Sequence, residues 1–414
     1  MTQYTLRPYQ QESVDRGVSF LTGQFYDGGG VLVLPTGAGK SLIIAGIADR
    51  LDGPCIVFQP TKEILEQNCA KLKSYGYNPA IYSASFGKRE IGSITLATIG
   101  SVRKTPEIFS EFKYVIIDEC DSVNPKTGMY KTFLDKLDGI RIIGCTATPY
   151  RLTTDGFGGS ILKFITRTRP RVFTRVVHCV QNGDLFRDNH LCPLEYKTVN
   201  SGFDENRVRL NSTGADYTDE SVKDHLDEID FQEKVLKTVK HMIGMGRKGI
   251  LVFTRFVKEA QYIADSIPGA AIVTGETKAD ERDSIIQRFR SGEIPVVANV
   301  GVLSVGFDYP ELSNVVLARP TMSLRLYYQQ VGRAVRTHPN KKTAWVIDMV
   351  GLEKKFGKVE DLELVDEGYG KWAVFSGDKQ LTNVYFGDGE KEKKRPKRFA
   401  YRNNQRRRFV KVAY

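Results

Sequence analysis

No uninterrupted apolar stretch of the 414-residue sequence approaches the roughly 20 residues that a membrane-spanning helix needs. The start, MTQYTLRPYQ, also lacks the pattern of a secretory signal peptide. Hydrophobic residues make up 41% of the chain and charged residues 26%, which is typical of a soluble globular protein. We therefore expect a cytoplasmic protein with no membrane partner.

Cysteine is scarce and scattered, with six residues at positions 55, 69, 120, 145, 179 and 192. No two of them form a CxxC pair, and several lie in apolar runs typical of strands or helices. We expect neither a disulfide framework nor a zinc site. The C-terminal part also lacks an evident cluster of carboxylates and lysine of the nuclease type, which disfavours a nuclease fusion.

The net charge of +11 is concentrated at the C-terminal end. Residues 389–414 contain eleven Lys or Arg and two Glu, which gives this segment a net charge of +9. Aromatic residues are interleaved with the cations at Phe399, Tyr401, Phe409 and Tyr414. Cations neutralise phosphates and rings stack on bases, so the tail suits a nucleic acid. A solvated terminus is the alternative that the tail alone leaves open.

Short β-branched runs alternate with helix-length segments in two blocks of the chain. The runs are VLVL (31–34), CIVF (55–58), ITLA (94–97), YVII (114–117) and RIIG (141–144), then ILVF (250–253), AAIV (270–273), PVVA (295–298), NVVLA (314–318) and AWVID (344–348). This alternation predicts an α/β fold with two parallel sheets flanked by helices. The length is also sufficient for two domains and an appendage.

The segment between the two blocks, from 150 to about 230, is poor in periodic signal and rich in Gly, Asn, Asp and Thr, which favours a connector with local hairpins. After about Gly351 the α/β alternation stops. The predicted domains are a first lobe at 1–195, a connector at 196–230, a second lobe at 231–350 and a short basic extension at 351–414.

A glycine-rich loop follows the first strand, as Pro35-Thr36-Gly37-Ala38-Gly39-Lys40-Ser41, and a helix-like segment follows the loop. This order predicts a phosphate-binding P-loop. Glycines let backbone N–H groups converge on phosphate oxygens, Lys40 reaches the β and γ phosphates, and Ser41 holds Mg²⁺. Leu34 occupies the first glycine position of the usual pattern, and a glycine-rich turn with a chance lysine is the alternative.

An acidic cluster, Asp118-Glu119-Cys120-Asp121, follows the strand YVII. A carboxylate at the tip of a strand beside the P-loop strand can bind Mg²⁺, and the next carboxylate can orient or deprotonate the attacking water. We assign these roles to Asp118 and Glu119. The predicted cofactors are thus ATP and Mg²⁺, with Ser41 and Asp118 as the metal ligands.

Together LPTGAGKS and DECD resemble motifs I and II of the superfamily 2 (DEAD/DEAH-box type) helicases. The resemblance implies two RecA-like P-loop lobes. It identifies the segment 145–149, CTATP, with motif III, which in this family couples ATP hydrolysis to lobe movement. It also identifies Leu6-Arg7-Pro8-Tyr9-Gln10 with the element beside the adenine, where Arg7 and Gln10 would contact the base.

In the second lobe, the resemblance covers motifs V and VI. The segment 327–336, YYQQVGRAVR, matches QxxGRxxR, whose guanidinium groups can stabilise the charge of the γ-phosphate once the cleft shuts. Its arginines are three residues apart, which predicts one face of a helix. The expected catalytic residues are Lys40, Asp118, Glu119, Gln329, Arg333 and Arg336. With the motif V segment 305–310, the expected nucleotide contacts are Arg7, Gln10, Thr36, Gly37, Ala38, Gly39, Lys40, Ser41, Gly306 and Asp308.

Four further segments resemble the track-contacting motifs of the family, and they occur in both lobes. Hydroxyl groups and free N–H groups at helix starts bind phosphate without reading sequence. Each segment alone would also pass for a helix N-cap. The expected nucleic-acid contacts are Pro60, Thr61, Thr98, Ser101, Thr254, Arg255, Thr274 and Gly275.

Within the superfamily, the sequence resembles the group of RadD, XPB and phage UvsW, which acts mainly on forked or branched DNA in repair and recombination. That resemblance implies an ATP-dependent DNA helicase or translocase. Motif II departs from it, because DECD stands where much of the group has DECH, and RNA-directed DEAD-box proteins also carry this aspartate. An RNA helicase and an ATP-gated nucleic-acid clamp that does not unwind remain the alternatives.

Overall fold

The computed structural model describes residues 5–154, 160–212, 214–303 and 309–384. Its helices are α1 (Pro8–Thr22), α2 (Lys40–Asp49), α3 (Lys62–Ser74), α4 (Ile99–Val102), α5 (Met129–Leu134), α6 (Asn182–Arg187), α7 (Asp219–Glu228), α8 (Phe231–Gly244), α9 (Val257–Ser266), α10 (Ala279–Arg290), α11 (Leu324–Val331) and α12 (Leu352–Phe356). Within these ranges, no helix is both long and apolar enough to cross a membrane.

The first lobe is an eight-stranded sheet with its helices. The strands of this part of the chain are β1 (Gly29–Val33), β2 (Cys55–Phe58), β3 (Ala80–Ser83), β4 (Lys88–Arg89), β5 (Ile94–Ala97), β6 (Tyr114–Asp118), β7 (Arg141–Thr146), β8 (Tyr150–Thr154), β9 (Ser160–Phe164) and β10 (Phe173–Cys179). The sheet order is β10-β1-β7-β6-β2-β5-β3-β4, and β8 and β9 form a separate hairpin. All neighbours in the sheet are parallel except β3 and β4.

The second lobe is a six-stranded parallel sheet with its helices, and a small antiparallel sheet follows it. Their strands are β11 (Leu194–Thr198), β12 (Ile250–Thr254), β13 (Ala271–Val273), β14 (Val296–Asn299), β15 (Asn314–Ala318), β16 (Ala344–Asp348), β17 (Leu362–Asp366), β18 (Trp372–Ser376) and β19 (Lys379–Gln380). The six-stranded order is β11-β16-β15-β12-β14-β13, and β17, β18 and β19 form the small sheet.

The predicted α/β fold with two parallel sheets is confirmed. Every apolar run expected to be a strand lies in one of the two large sheets, and central strands such as β2, β6 and β12 are buried along their whole length. Val and Ile suit strands that are covered by helices on both faces. The ends differ by one or two residues; VLVL at 31–34 lies in β1, which ends at Val33.

Two edge strands lie in the segment that we expected to be a connector. The hairpin of β8 and β9 is present there, but β10 also pairs with β1, and β11 pairs with β16. In β11 apolar and polar side chains alternate, and in β10 polar residues interrupt the apolar ones irregularly. Both strands are mostly only partly buried, so they lack the continuous apolar run of the central strands.

The domain limits stay a prediction, and the strand pairing suggests one adjustment. The limit expected at 195 falls inside β11, which belongs to the second sheet. We therefore propose that the second lobe begins before Leu194.

The small sheet of β17–β19 follows the second lobe in sequence but contacts the first. Gln181, directly after β10, donates to the Leu364 carbonyl at 2.8 Å and accepts from the Leu364 N–H at 3.0 Å. Asn383 donates its backbone N–H to the Leu162 carbonyl in β9 at 2.6 Å. The part of the predicted extension that the structure describes thus contacts the first lobe. The most basic part, 389–414, lies outside the described residues.

Glu259 in α9 gives a test of the packing in the second lobe. Burial raises the pKa of its carboxyl from the usual 4.5 to about 7, although N–H groups of Phe256 and Arg255 oppose the shift. The folded state therefore binds the proton more tightly than the unfolded state, so this carboxyl lowers stability as pH rises from about 4.5 through 7. Glu259→Gln can keep the N–H bonds without the charge.

We expect Glu259→Gln to be more stable than the wild type at pH 8 and equal to it near pH 4.5, measured by the midpoint of thermal unfolding. Glu281→Gln, on the exposed side of α10, is the control and should show no such pH-dependent gain. Equal shifts for Glu259→Gln at both pH values would contradict the buried, protonated carboxyl.

Candidate ATP site and nucleic-acid edge

The expected site residues of the first lobe meet at one edge of its sheet. The P-loop follows β1, the acidic cluster follows β6, and β7 lies between these two parallel strands. The carboxyl ends of parallel strands point to the same edge, which is where α/β sheets bind ligands. Lys40 and Asp118 accordingly lie close together, with 3.3 Å between Nζ and Oδ1.

The P-loop has the backbone geometry that its glycines allow. Gly37 and Gly39 have φ angles of 87° and 82°, in the left-handed region that suits glycine. The start of α1 packs on the loop, because the Ala38 carbonyl accepts from Gln10 Nε2 at 2.9 Å and from the Tyr9 hydroxyl at 3.0 Å. A Cβ on Gly39 would collide with the Gln10 amide. Gln10 thus shapes the loop, and its contact with the base stays a prediction.

Arg7 lies at the N-cap of α1. Its backbone N–H donates to Gln10 Oε1 at 2.9 Å, and its Nη1 donates to the Tyr9 hydroxyl at 3.4 Å. These bonds hold Arg7 beside the P-loop, and its contact with the adenine also stays a prediction.

Opposite charges are buried beside the P-loop. Lys40 forms ion pairs with Asp118 and Glu119, and all three side chains are mostly buried. Burial favours the neutral form of Lys40, but the two carboxylates outweigh it and raise the lysine pKa above its ordinary value. Burial raises the pKa of Asp118, whereas Lys40 overcomes burial at Glu119 and lowers the pKa of that carboxyl. Lys40 is therefore held as a cation, in position for phosphate oxygens.

Ser41 and Asp118 fit the donor set for magnesium. A hydroxyl and a carboxylate are the hard oxygen ligands that Mg²⁺ takes, usually with phosphate oxygens and water completing the shell. The N–H groups of Lys40 and Ser41 lie in the first turn of α2, where a helix offers them no internal partner. These groups suit phosphate binding. Ser41 Oγ donates to Asn68 Oδ1 at 2.7 Å.

Asp121 connects motifs II and III with the second lobe. Its side chain is fully buried and accepts from the Thr146 hydroxyl at 2.8 Å and the Thr148 hydroxyl at 3.3 Å. Arg325 of α11, on the opposite lobe, forms an ion pair with it, with Nε 2.8 Å from Oδ2. Burial raises the pKa of Asp121 to about 7, against the opposing effect of Arg325. Asp121, which stands where the motif DECH has histidine, therefore has a cationic partner across the cleft.

The segment expected to be motif VI contacts the P-loop directly. The Tyr328 hydroxyl accepts from the Thr36 N–H at 3.3 Å and donates to Asn182 Oδ1 at 2.6 Å. A Cβ on Gly332 would lie 3.0 Å from Thr36 Cγ2, so glycine permits this close approach. The interface between the lobes thus runs across the phosphate loop.

The expectation that Arg333 and Arg336 lie on one face of a helix is wrong. The helix α11 ends at Val331, and Gly332, a poor helix former, begins a tight turn in which the Arg333 N–H donates to Gln330 O. Burial lowers the pKa of Arg333 to about 10, with Glu119 opposing, and burial also lowers the pKa of Arg336 to about 10. Both cations are thus partly buried at the lobe interface, where an arriving phosphate would offset the cost of that burial. Gln329 is buried in α11.

Most of the expected track contacts lie at the same edges of the two sheets. Pro60 and Thr61 follow β2, and Thr98 and Ser101 follow β5, where their hydroxyl groups are 2.9 Å apart. Thr61 is exposed and caps α3 by accepting from the Ile64 N–H at 3.3 Å. In the second lobe, Thr274 and the exposed Gly275 follow β13. The two lobes therefore present comparable loops, and nucleic-acid contact by them stays a prediction.

Arg255 has a different environment from the other expected contacts. Its guanidinium is buried and donates to Asp219 at 2.8 Å, to the Pro320 carbonyl at 2.9 Å and to the Tyr217 carbonyl at 2.7 Å. The neighbouring Thr254 is buried as well. A phosphate could reach Arg255 only if these bonds broke, so the geometry does not favour Thr254 and Arg255 as contacts to nucleic acid.

Three side chains of the site were not predictable from the sequence. Arg325, Tyr328 and Asn68 contact residues that are distant in sequence, and none of the three was among the expected site residues. The motif V residues Gly306 and Asp308 lie outside the described residues. Together, the facing edges define a two-lobed protein of the P-loop class.

Comparison with known families agrees with this class. Residues 3–151 match the family described as the res subunit of type III restriction enzymes, and residues 233–338 match the helicase conserved C-terminal domain. The chain therefore carries both conserved domains that are found in superfamily 2 helicases.

Three relatives show the extent of the likeness. A 51.5 kDa protein of a Lactococcus phage is 28% identical, over 76% of this chain and 64% of its own length. IRC3 of Saccharomyces cerevisiae is 23% identical, over 84% of this chain and 51% of its own. The DNA 3'-5' translocase XPB2 of Sulfurisphaera tokodaii is 24% identical, over 83% and 81%. The chain thus spans about half to two thirds of the length of the phage protein and of IRC3.

Solved structures show the same fold at low identity. The type ISP restriction-modification enzyme LlaBIII bound to DNA has a TM-score of 0.58 and 15% identity, over 84% of this chain and 28% of that one. A variant of Saccharomyces cerevisiae Dbp5 bound to RNA and ADP BeF3 has a TM-score of 0.57 and 16% identity, over 85% and 92%.

The packing of Gln10 on Gly39 predicts a sharp effect of one methyl group. Gly39→Ala places a Cβ against the Gln10 amide and holds alanine at positive φ, which costs roughly 1–2 kcal/mol for the backbone alone. We expect the loop to shift and the affinity for a fluorescent ADP analogue to fall about tenfold or more.

Gly76→Ala is the matched control, because Gly76 has a φ of 92° and open space around its Cβ position. It should lower stability by a comparable backbone cost and leave nucleotide affinity unchanged. Equal affinities for the two variants would show that the contact with Gln10 does not shape the loop.

The ion pair between Asp121 and Arg325 predicts a second effect. Arg325→Gln leaves a buried carboxylate without its cation, so the closed arrangement of the lobes is destabilised. We expect ATP turnover with saturating nucleic acid to fall roughly tenfold, since coupling energies within such networks are about 0.5–3 kcal/mol.

Arg282→Gln is the comparison, because Arg282 also pairs across the lobes, with Glu63 at 3.2 Å, but Glu63 is half exposed. Exposed pairs contribute little, so this variant should keep wild-type turnover. A loss of equal size in both variants would mean that the burial of Asp121 gives its pair no special role.

Proposed function

We propose that the protein is an ATP-driven motor that moves along or separates nucleic-acid strands, and that its track is DNA. One observation carries the proposal. Glu119 of the first lobe lies within electrostatic range of Lys40 from its own lobe and of Arg325 and Arg333 from the second. A site to which both lobes contribute is complete only when they are together, so events at the nucleotide are coupled to movement of the lobes.

The side chains of the first lobe fit phosphoryl transfer, in which positioning and charge stabilisation dominate. Lys40 would exchange its carboxylate partners for β and γ phosphate oxygens. Magnesium, held by Ser41 and Asp118, would neutralise charge on those oxygens. Glu119 would orient the attacking water and accept its proton.

The second lobe supplies the cations that the reaction needs as charge develops. Arg333 and Arg336 are partly buried close to the P-loop, and the charge of each is disfavoured by that burial. Charge that develops on the γ-phosphoryl group would be stabilised by preorganised guanidinium groups in a site shielded from water. Opening of the lobes removes these groups, so hydrolysis requires closure.

Asp121 provides a route from the nucleotide to lobe movement. It shares a strand end with Asp118, accepts from Thr146 at the end of β7 and from Thr148 just after it, and pairs with Arg325 of α11. A shift of the acidic cluster on hydrolysis would therefore alter a contact that holds the second lobe.

In this proposal the edges of the two sheets form the surface that binds the nucleic-acid track. Thr61 and Thr98 of the first lobe, and Thr274 of the second, lie in loops that could bind successive backbone phosphates without reading bases. Opening and closing of the lobes would change the distance between the phosphate-binding loops of the first lobe and those of the second. If the loops of the two lobes bound the strand tightly in turn, the protein would move along it.

DNA is the favoured track, and forked or branched DNA in replication, recombination or repair is the favoured substrate. The sequence resembles a group that acts mainly on such DNA, and the archaeal relative XPB2 is named as a DNA translocase. Asp121 supports RNA as the second candidate, because RNA-directed DEAD-box proteins carry aspartate at this position of motif II.

The direct test is steady-state ATP hydrolysis at one fixed low salt concentration. Salt is fixed because phosphate contacts make nucleic-acid affinity strongly salt-dependent. The reactions contain no nucleic acid, single-stranded DNA, forked DNA, a four-way junction or structured RNA. We expect forked or branched DNA to stimulate most. Lys40→Ala should be inactive, and Arg333→Ala should lower kcat by about 10²–10³, the usual cost of losing one preorganised stabilising group.

Arg288→Ala is the control for Arg333→Ala, because Arg288 is a half-exposed arginine of the same lobe that pairs with Glu293. It should keep wild-type turnover. Stimulation by RNA alone would replace DNA with RNA as the track. Stimulation by DNA without strand separation or displacement of a bound block would indicate an ATP-gated clamp, and no stimulation by any nucleic acid would overturn the motor.

A further inference from the structure

A line of hydrogen bonds leads from the P-loop to the loop that follows β2. Ser41 Oγ donates to Asn68 Oδ1, and Asn68 Nδ2 donates to Gln59 Oε1, each at 2.7 Å. Asn68 lies on α3 and Gln59 directly after β2, and both side chains are buried. The Ser41 hydroxyl, an expected magnesium ligand, is therefore oriented by a side chain 27 residues away in sequence.

Asn68 occupies a position where an apolar residue would be expected. The buried face of α3 consists of Leu65, Asn68, Cys69 and Leu72, a spacing that places all four against the core. A buried amide is costly unless its polar atoms are hydrogen-bonded. The two bonds to Ser41 and Gln59 offset that cost, so the asparagine is explained by what it binds.

The direction of the first bond matters for metal binding. A hydroxyl has one proton to donate and two lone pairs to offer. Because Ser41 gives its proton to Asn68, its lone pairs stay available to a cation. Gln59 accepts from the amide nitrogen of Asn68 and so keeps the oxygen of that amide turned toward Ser41.

The same helix carries a residue of the expected track. Thr61 caps the start of α3, and Asn68 lies about two helical turns further along. A helix of this length moves as a unit, so a displacement at Thr61 would also displace the acceptor of the Ser41 proton. The geometry connects the metal ligand with the loop that would touch nucleic acid.

We propose that Asn68 is a positioning residue that orients the Ser41 hydroxyl for magnesium and transmits the position of α3 to the metal site. This inference rests on the proposed function, since it needs a magnesium nucleotide at the P-loop. Residues that orient metal ligands typically change metal affinity by about 10–100-fold when they are replaced.

The test is equilibrium binding of a fluorescent ADP analogue, titrated with Mg²⁺ in the absence of nucleic acid. Asn68→Leu removes both bonds at similar size. We expect it to raise the Mg²⁺ concentration for half-maximal binding about tenfold or more. Asn68→Asp keeps an acceptor for Ser41 and should stay within about threefold of the wild type, a smaller change than the roughly 10–100-fold effect of losing such a residue. Thermal unfolding of each variant establishes that it is folded.

A double-mutant cycle separates positioning from a general effect on packing. If Asn68 acts through Ser41, Asn68→Leu should add no further shift of the Mg²⁺ midpoint in a Ser41→Ala background. Glu63→Gln changes a half-exposed residue of the same helix and breaks its ion pair with Arg282 of α10; it should leave the midpoint unchanged.

Two results would overturn the inference: an unchanged midpoint in folded Asn68→Leu, or a shift of full size in the Ser41→Ala background. Neither would affect the proposed motor, provided that nucleic acid still stimulates ATP hydrolysis by the wild type. Failure of the wild type to bind the nucleotide with Mg²⁺ would instead overturn the proposed function itself.

Discussion

Three carboxylates at the end of β6 are buried, and a buried charge is stable only with an opposite charge beside it. Asp118 and Glu119 have Lys40 from the P-loop, whereas Asp121 has Arg325 from the second lobe. The carboxylates at the end of β6 therefore depend on cations from both the P-loop and the second lobe. The other contacts of the cleft are arranged around this cluster.

This arrangement explains how a nucleotide could control lobe closure in the proposed motor. A bound γ-phosphate would compete for Lys40 and bring negative charge to Arg333 and Arg336, whose burial is otherwise unfavourable. The charge balance that holds the lobes together would thus differ between ATP and its products. Because the coupling depends on differential contacts in two states, it has the thermodynamic form of a ligand-driven conformational change.

The sequence predicted the strands and the P-loop because their signals are local. The runs CIVF and YVII are apolar throughout, and Gly37, Gly39 and Lys40 lie within a few residues of one another in a single loop. The partners of Asp121 and Ser41 were not predictable, since they depend on which distant side chains the fold brings together. Edge strand β10 was missed because it is mostly only partly buried and polar residues interrupt its apolar ones. Thr254 and Arg255 match a nucleic-acid-contacting motif in sequence, but both side chains are buried inside the second lobe.

The most direct test of a site to which both lobes contribute is a crystal structure with Mg²⁺, ADP and an aluminium fluoride that mimics the transferred phosphoryl group. The account predicts that Arg333 or Arg336 of the second lobe lies within hydrogen-bond distance of the fluoride, opposite Lys40 and Glu119 of the first. A structure in which only residues of the first lobe contact the nucleotide and the fluoride, with both arginines turned away, would contradict it.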